Sequence, residues 1–349
     1  MKAKIVIDVP GLSTTVQDLG RWGLQGLGVP LSGAMDPLAL AAANSLVSNL
    51  PDAAALEISY AGPTFKVQEN SVRLALVGAG ACLKFDDGRI IQANQSVTAH
   101  AGDTVFVQAS RAMPFTILAV AGCLDLPETL GSRSTYARGA FGGFEGRALR
   151  SGDIITVTGS IPDPTDIELS GNIPYGEGPI GVLLGPQADY FHAESIAQFL
   201  SSEYEVTTDS DRMGMRLTGQ PLQHARGYDI VTDGVANGSI QVPGNGLPMI
   251  LLSDRQTVGG YPKIGTVISR DLPRLAQMRP GRKIRFQAVS LEEAIAARRA
   301  QARSMDMLVQ DTRPVGRPGT VNIPRLYTDN LISGVANLDS DYHRLGHVE

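Results

Sequence analysis

Turn residues cut this chain into apolar runs too short to be helices. Its 39 glycines and 21 prolines fall between brief stretches rich in Val, Ile, Leu and Phe. Runs of that kind, bounded by Gly, Pro, Asp or Asn, read as β-strands. They are predicted at residues 5–9, 72–77, 104–107, 115–120, 154–157, 180–184, 249–252 and 283–286. Asp86-Asp87-Gly88, between two such runs, reads as a hairpin turn. Ala101-Gly102-Asp103, Ser151-Gly152-Asp153 and Pro280-Gly281-Arg282 each place a glycine turn just before a strand. That device suits β-barrels, whose strands enter through tight turns.

Helices are few. Asp36 is placed to cap a helix over residues 38–47 that opens with Pro37. A second is predicted over 195–200. A third starts at Ser290, where Ser290 and Glu293 make a capping box, and runs to about Ser304 as a surface helix. The expected fold class is β-rich with a few short helices. The expected division is an N-terminal β-rich domain over 1–163, a C-terminal β-barrel over 164–289, and a helix and extended tail over 290–349. The tail's apolar islands favour an arm packed on another surface over a loose end.

Charge and motifs narrow the function. A net charge of -5 at pH 7 gives no push toward nucleic acid or an anionic membrane. The N-terminal apolar run is too short for a signal peptide, and no segment is long enough to span a bilayer. A cytoplasmic protein is therefore expected. Cys82 and Cys123 are expected as buried free thiols. The five histidines are scattered, so no metal site is expected. There is no P-loop for ATP, and no Ala-Met-Lys-Met sequence to carry biotin.

The segment 227–264 carries the chemistry. Polar side chains stand among glycines there, and glycine lets backbone approach a ligand closely. Lys263 at a strand start could hold a carboxylate or an oxyanion, or simply reach solvent. If residues 254–257 are extended, Asp254 and Gln256 share one face and Arg255 and Thr257 the other. Gln256 could read an amide through its paired donor and acceptor. Arg212 and Arg216, four apart in an extended segment, would share a face and suit a carboxylate, unless they are surface ion pairs. Turn chemistry alone explains Asn237 and Asp233 well, and is favoured over a direct role. Gln241 could face the same cleft. Glu57, in an apolar strand, needs a partner if buried, possibly an arginine. Asn44 reads as a buried polar hook.

Several motifs occur together: Thr15-Val16-Gln17-Asp18-Leu19-Gly20-Arg21, Gly28-Val29-Pro30-Leu31-Ser32-Gly33-Ala34-Met35-Asp36-Pro37, Ala43-Asn44-Ser45-Leu46-Val47, Ala55-Leu56-Glu57-Ile58 and Ser210-Asp211-Arg212-Met213-Gly214-Met215-Arg216-Leu217. With the glycine-rich segment, this set resembles the biotin-dependent carboxyltransferase-like family. The family is also called allophanate hydrolase subunit 2, and it includes the C subunit of 5-oxoprolinase and an antagonist of a sporulation-kinase inhibitor. The resemblance runs from about Ile5 to Phe286. It implies a cyclophilin-like β-barrel architecture and a place in a heteromeric enzyme that opens 5-oxoproline to glutamate with ATP. A protein like the B subunit of 5-oxoprolinase would bind directly, and one like its A subunit would complete the complex.

On that reading ATP is used elsewhere in the complex, no cofactor is covalently bound, and the chain alone is inactive. The alternatives are the carboxyltransferase part of a biotin-dependent urea or amide carboxylase, with biotin supplied by another chain, or a non-catalytic regulator. The candidate catalytic residues are Lys263, Asp254 and Gln256. The candidate substrate-binding residues are Arg212, Arg216, Gln241, Tyr261 and Asn237.

Overall fold

Strands form at all eight predicted runs, and their pairing builds three sheets. The computed structural model describes residues 2–159 and 165–316. Residues up to Arg313 belong to one compact unit, and from Pro314 on the chain belongs to a second. The proposed boundary near Asp163 and the tail after residue 316 lie outside the described residues. The first sheet runs in the order Cys123–Leu124, Ile154–Thr158, Lys2–Val9, Thr64–Glu69, Thr104–Gln108, Cys82–Phe85, Ile90–Gln92. The second contains, in order, Ser13–Gln17, Ala55–Ser59, Phe115–Val120, Val72–Val77, Gln95–Ala99 and Ile167–Leu169. Their facing sides share one core that includes Ile5, Phe65, Leu74, Leu83 and Leu118.

The third sheet is the nearly closed barrel. Its eight strands run Lys283–Ile284, Tyr204–Val206, Gly214–Thr218, Met249–Leu251, Ser239–Gln241, Lys263–Val267, Ile180–Leu184, Phe286–Ala288. The single strand predicted over 283–286 is in fact two, and closure is the reason. Lys283 and Ile284 pair with Tyr204–Val206 at one edge. One residue later, Phe286–Ala288 pairs in parallel with Ile180–Leu184 at the other. The chain bends at Arg285 and covers both open edges, which would otherwise offer unpaired backbone groups. Inside, the Phe199 and Phe286 rings stack with centroids 4.5 Å apart, beside Tyr204. The expected β-rich, cyclophilin-like barrel architecture is the one found.

The glycine turns before strands work as one device. His100, Arg150 and Arg279 each accept at their carbonyl from the amide three residues on, at 3.0, 3.2 and 3.1 Å. The intervening Gly102, Gly152 and Gly281 take φ of +102°, +87° and +84°. This is the β-turn geometry in which glycine suits the third position. Asp103 and Asp153 tighten two of the turns by accepting from the amides of His100 and Arg150, at 3.0 and 2.7 Å. The Asp86–Gly88 hairpin also forms, joining two antiparallel strands.

Four helices flank the sheets: α1 (Pro37–Leu46), α2 (Ala193–Ser201), α3 (Leu272–Ala276) and α4 (Leu291–Gln310). Asp36 caps α1 through the amides of Leu38 and Ala39. The capping box of Ser290 and Glu293 starts α4, which runs six residues past the predicted end at Ser304 because Met305 and Leu308 pack into a core with α1. Asn44 is the buried hook expected, its amide donating to the Ala53 carbonyl at 2.7 Å. Cys82 is buried, but Cys123 is exposed, because its short strand lies at the edge of the first sheet. No helix among the described residues is long and apolar enough to cross a membrane.

Two buried carboxylates tie distant segments together. Asp36, fully buried, accepts from Gln277 Nε2 at 2.7 Å and from the Tyr175 hydroxyl. Burial lifts its carboxyl above the ordinary range, against the pull of these donors. Glu57 meets the arginine it needed. Arg212 donates through Nη1 to Glu57 Oε1, through Nη2 to the Gly33 carbonyl at 2.7 Å, and in a forked pair to Asp254 at 2.8 and 3.0 Å. Glu57 Oε2 also accepts from the Met35 amide at 2.7 Å. Burial works against the Arg212 charge, but the two carboxylates outweigh it, and its pKa lies above the ordinary arginine value.

Three outcomes are expected. Gly152→Ala meets no atom within 4 Å, so its cost comes from φ alone, about 1–2 kcal/mol by urea unfolding. Asp153 is held below the usual carboxylate range, chiefly by hydrogen bonds from Arg147. Its stabilisation is present above an unfolded value of about 4 and is lost as pH falls through its lower native value. The stability gap between wild type and Asp153→Asn therefore closes in acid. Arg212→Met leaves two buried carboxylates uncompensated and costs about 3–5 kcal/mol in chemical unfolding. A cost below about 1 kcal/mol would show that water already screens the cluster.

Candidate functional site

A large cavity, about 880 Å³, is walled by segments from both ends of the described chain. The loop before α1 supplies Leu19, Trp22, Gln25, Ser32, Ala34 and Met35. The turns at 234–237 and 253–258, α3 and one side chain of α4, Arg298, supply the rest. The first loop is firmly held. Asp18 accepts from the hydroxyls of Ser132 and Ser134 at 2.6 and 2.5 Å and from the Arg133 amide at 2.6 Å. The Ser32 amide donates to the Ser253 carbonyl at 3.1 Å, which joins the loop to the barrel. Ser32 has a φ of +55°, a left-handed conformation uncommon for a residue other than glycine.

The polar groups of this cavity are unusually free. Ser32 Oγ and Asn237 Oδ1 are buried and without a hydrogen-bond partner among the described residues. Arg255 is buried and donates only to the carbonyls of Val235 and Leu252, at 3.4 and 3.3 Å. No carboxylate among the described residues pairs with it, and burial pushes its pKa down to about 10. Such a guanidinium gains from an anion that supplies the missing charge. Arg298 adds a second guanidinium at the rim. Among the described lining residues there is no Asp, Glu, His, Lys or Cys. The arrangement can hold an anion with a small polar body, but it has no group suited to carry a proton near neutral pH.

The residues singled out from the sequence fall into separate places. Asn237 lines this cavity. Arg212 and Asp254 do not offer themselves to a ligand: they are bound to each other in a forked pair, and Arg212 also to Glu57. Arg212 and Arg216 do not share a face, because Arg212 precedes the strand Gly214–Thr218 that holds Arg216. Arg212 borders a cavity of about 250 Å³ with Met35, Glu57 and Phe115. Arg216 and Gln256 border another, of about 290 Å³, with Arg138, Asp209 and Asp211.

Residues 254–257 are not a strand, since Ser253 and Asp254 form a turn, yet Arg255 and Thr257 do face the large cavity together. Tyr261 is exposed and lines none of these cavities. Lys263 is buried and donates to Asp233 Oδ2 at 2.7 Å and to the Gly234 carbonyl at 3.1 Å. Gln241 is fully buried beside it. Lys263 and Gln256, both candidate catalytic residues, border none of the described cavities in common, so they do not form one site at the large opening.

Ser32 and Arg255 were not among the sequence candidates. Ser32 carries a faint sequence signal, a hydroxyl beside Gly33 before a capped helix. Arg255 carries none, because its lack of a partner depends on Asp254 being taken by Arg212, a residue distant in the chain. Among the described residues no group of three or more His, Cys, Asp or Glu is placed to hold a metal ion.

Comparison with known proteins gives one consistent result. The family model of the carboxyltransferase domain, subdomains A and B, matches residues 27–288. The chain is 37% identical over 298 residues to the 5-oxoprolinase C subunit of Escherichia coli, covering 85% of this chain and 95% of that protein. It is 35% identical over 307 residues to the protein of the same name in Haemophilus influenzae, covering 87% and 96%. The solved structure of the Kluyveromyces lactis urea amidolyase superposes with a TM-score of 0.79 at 29% identity, over 87% of this chain and 20% of that one. The chain therefore belongs to the family of the carboxyltransferase domain, subdomains A and B.

Proposed function

We propose that this chain is the C subunit of an ATP-dependent 5-oxoprolinase, and that its large cavity binds 5-oxoproline for opening to glutamate. The observation that carries the reading is a buried, carboxylate-free arginine in a cavity large enough for a small anion. Arg255 takes the substrate carboxylate through two parallel N–H bonds, and Arg298 adds charge at the mouth. Asn237 Oδ1 accepts the lactam N–H, and the Ser32 hydroxyl donates to the ring carbonyl. The lack of a proton carrier among the described lining residues supports a division of labour. This chain binds and presents the lactam. ATP is cleaved, and the water activated, on an A-like partner, with a B-like partner docked directly on this chain. A regulator that needed only a protein-binding face would have no use for such a cavity.

A second reading has its own support: the chain is 31% identical over 321 residues to the urea amidolyase of Saccharomyces cerevisiae, matching 17% of that protein. On it, the same groups hold the ureido ring of a biotin carried by another chain, with Asn237 accepting a ring N–H and Arg255 donating to the ring carbonyl. Bound there, biotin supplies the carboxyl group to be transferred.

The test is reconstitution. The isolated chain should give no turnover of 5-oxoproline. Addition of the A-like and B-like partners with ATP should restore it, with urea left untouched. Arg255→Lys keeps the charge but loses the fork, and kcat/KM should fall about a hundredfold. Arg298→Ala should cost only a few-fold, as a rim charge does. Full activity in folded Arg255→Met, or carboxylation of urea with a biotin carrier, would overturn the first reading.

A further inference from the structure

A buried polar pair, Gln241 and Lys263, lies behind one wall of the cavity. Gln241 is fully buried, and neither its Oε1 nor its Nε2 has a hydrogen-bond partner among the described residues. Two unmet polar atoms on one buried amide are a cost that native folds rarely carry. Its partner across the barrel strands is Lys263, so the two side chains share a face. Over them lies a ribbon of two very short strands, Asp233–Gly234 and Val258–Gly259, which form a sheet of their own outside the barrel. Gly259 rests directly on the amide: a Cβ there would fall 2.3 Å from Gln241 Nε2. Gly234 and Val258 of the same ribbon line the large cavity. The ribbon is thus a wall two strands wide between the anion site and a buried, unpaired amide.

The wall is latched by side chains. Lys263 Nζ holds the Asp233 carboxylate and the Gly234 carbonyl, and Gln187 Nε2 adds a bond to Asp233 at 3.2 Å. Asp233, Gly234 and Val258 are exposed. Asp233 is the exposed end of the latch and Lys263 its buried end, so opening is favourable once another acceptor takes the carboxylate's place on the ammonium.

We propose that Gln241 is a lactam-reading residue, and that the ribbon 233–234/258–259 is a gate that swings out to join it to the anion cavity. A lactam holds its amide cis, with N–H and C=O side by side. A carboxamide presents the matching acceptor and donor, so the two form a closed pair of hydrogen bonds. Opening also frees Lys263 from Asp233, and the substrate carbonyl oxygen takes the carboxylate's place on the ammonium. The ligand class is a small five-membered cyclic amide with a carboxylate. This rests on the anion-cavity reading above and refines it: Gln241 takes over the amide that Asn237 and Ser32 meet first while the gate is shut.

The experiment uses the full chain. Its single tryptophan, Trp22, lines the anion cavity and reports binding by fluorescence. Two probes share ring size and carboxylate: 5-oxoproline, and tetrahydrofuran-2-carboxylate, which has no amide. Wild type should favour 5-oxoproline by about tenfold, the worth of one or two good hydrogen bonds. Gln241→Leu should lose most of that preference, keeping only what Asn237 and Ser32 supply from the cavity, with a melting temperature unchanged or higher, since it removes two unpaired buried groups. A Gln241 that served structure alone would lower it. Opening is read separately, in a Cys123→Ser background carrying Gln241→Cys, by the rate of labelling with a thiol reagent. Asp233→Ala should raise that rate about tenfold or more with the fold intact.

Discrimination retained at the wild-type level by Gln241→Leu would overturn the lactam assignment while leaving the anion cavity standing. Labelling unmoved by Asp233→Ala would overturn the gate. If neither acid binds in an Arg255-dependent way, the anion cavity itself falls and takes the lactam assignment with it, and the labelling rates still decide the gate.

Discussion

The site depends on one buried cation that it does not contain. Arg212 gathers Glu57 from a strand of the second sheet, the Gly33 carbonyl from the loop before α1, and Asp254 from the turn after Met249–Leu251. Those last two segments are the ones that turn their other residues, Ser32, Ala34, Ser253 and Arg255, into the large cavity. A buried carboxylate is tolerable only when paired, so the Arg212 cluster fixes both segments in register. It also decides which charge is left over. Asp254 spends its two oxygens on Arg212, and the neighbouring Arg255 is left with carbonyls alone. The structural pair on one side of the turn creates the unpaired guanidinium on the other.

Asp36 plays the parallel part a few residues further along. It begins α1, and through Gln277 and Tyr175 it fastens that helix to segments well over a hundred residues away. The loop 19–35 is therefore anchored at its end by Asp36 and by Arg212 on Gly33, and at its start by Asp18 on Ser132 and Ser134. A loop held at three points can keep Ser32 at a positive φ, which an unsupported loop would relax. Rigidity here is what keeps the hydroxyl from finding a bond of its own.

What could be read from the sequence was what local chemistry determines. Turn residues bounded the strands, so Phe115–Val120 and Ile180–Leu184 were placed to the residue. Ser290 with Glu293, and Asp36 before Pro37, marked helix starts through bonds that span only three residues. The motif resemblance supplied the family. The misplaced elements share a cause. The split at Arg285 exists because two distant edges compete for one stretch of chain. The ribbon 233–234/258–259 is too short to show any alternation. Arg212 and Asp254 looked like ligand groups because an ion pair with partners 42 and 155 residues away leaves no trace in spacing. Arg255, with the same side chain as Arg212, differs only in what its neighbours do with their carboxylates.

The unmet polar atoms around the cavity follow the same logic. Each buried group without a partner costs on the order of 1–3 kcal/mol. Asp36 and Glu57, both buried, are met by several donors each. Ser32 Oγ, Asn237 Oδ1 and both amide atoms of Gln241 are not, and all lie along or just behind the wall of one cavity. A chain that satisfies its structural carboxylates so fully has the means to satisfy these as well; a serine turned to normal φ or a leucine at 241 would do it. Leaving them unmet lowers the stability of the free protein and raises the return on any ligand that completes them. A ligand that brings an anion for Arg255, an N–H for an acceptor and a carbonyl for a donor would complete them, and the proposed cyclic amide acid has that outline.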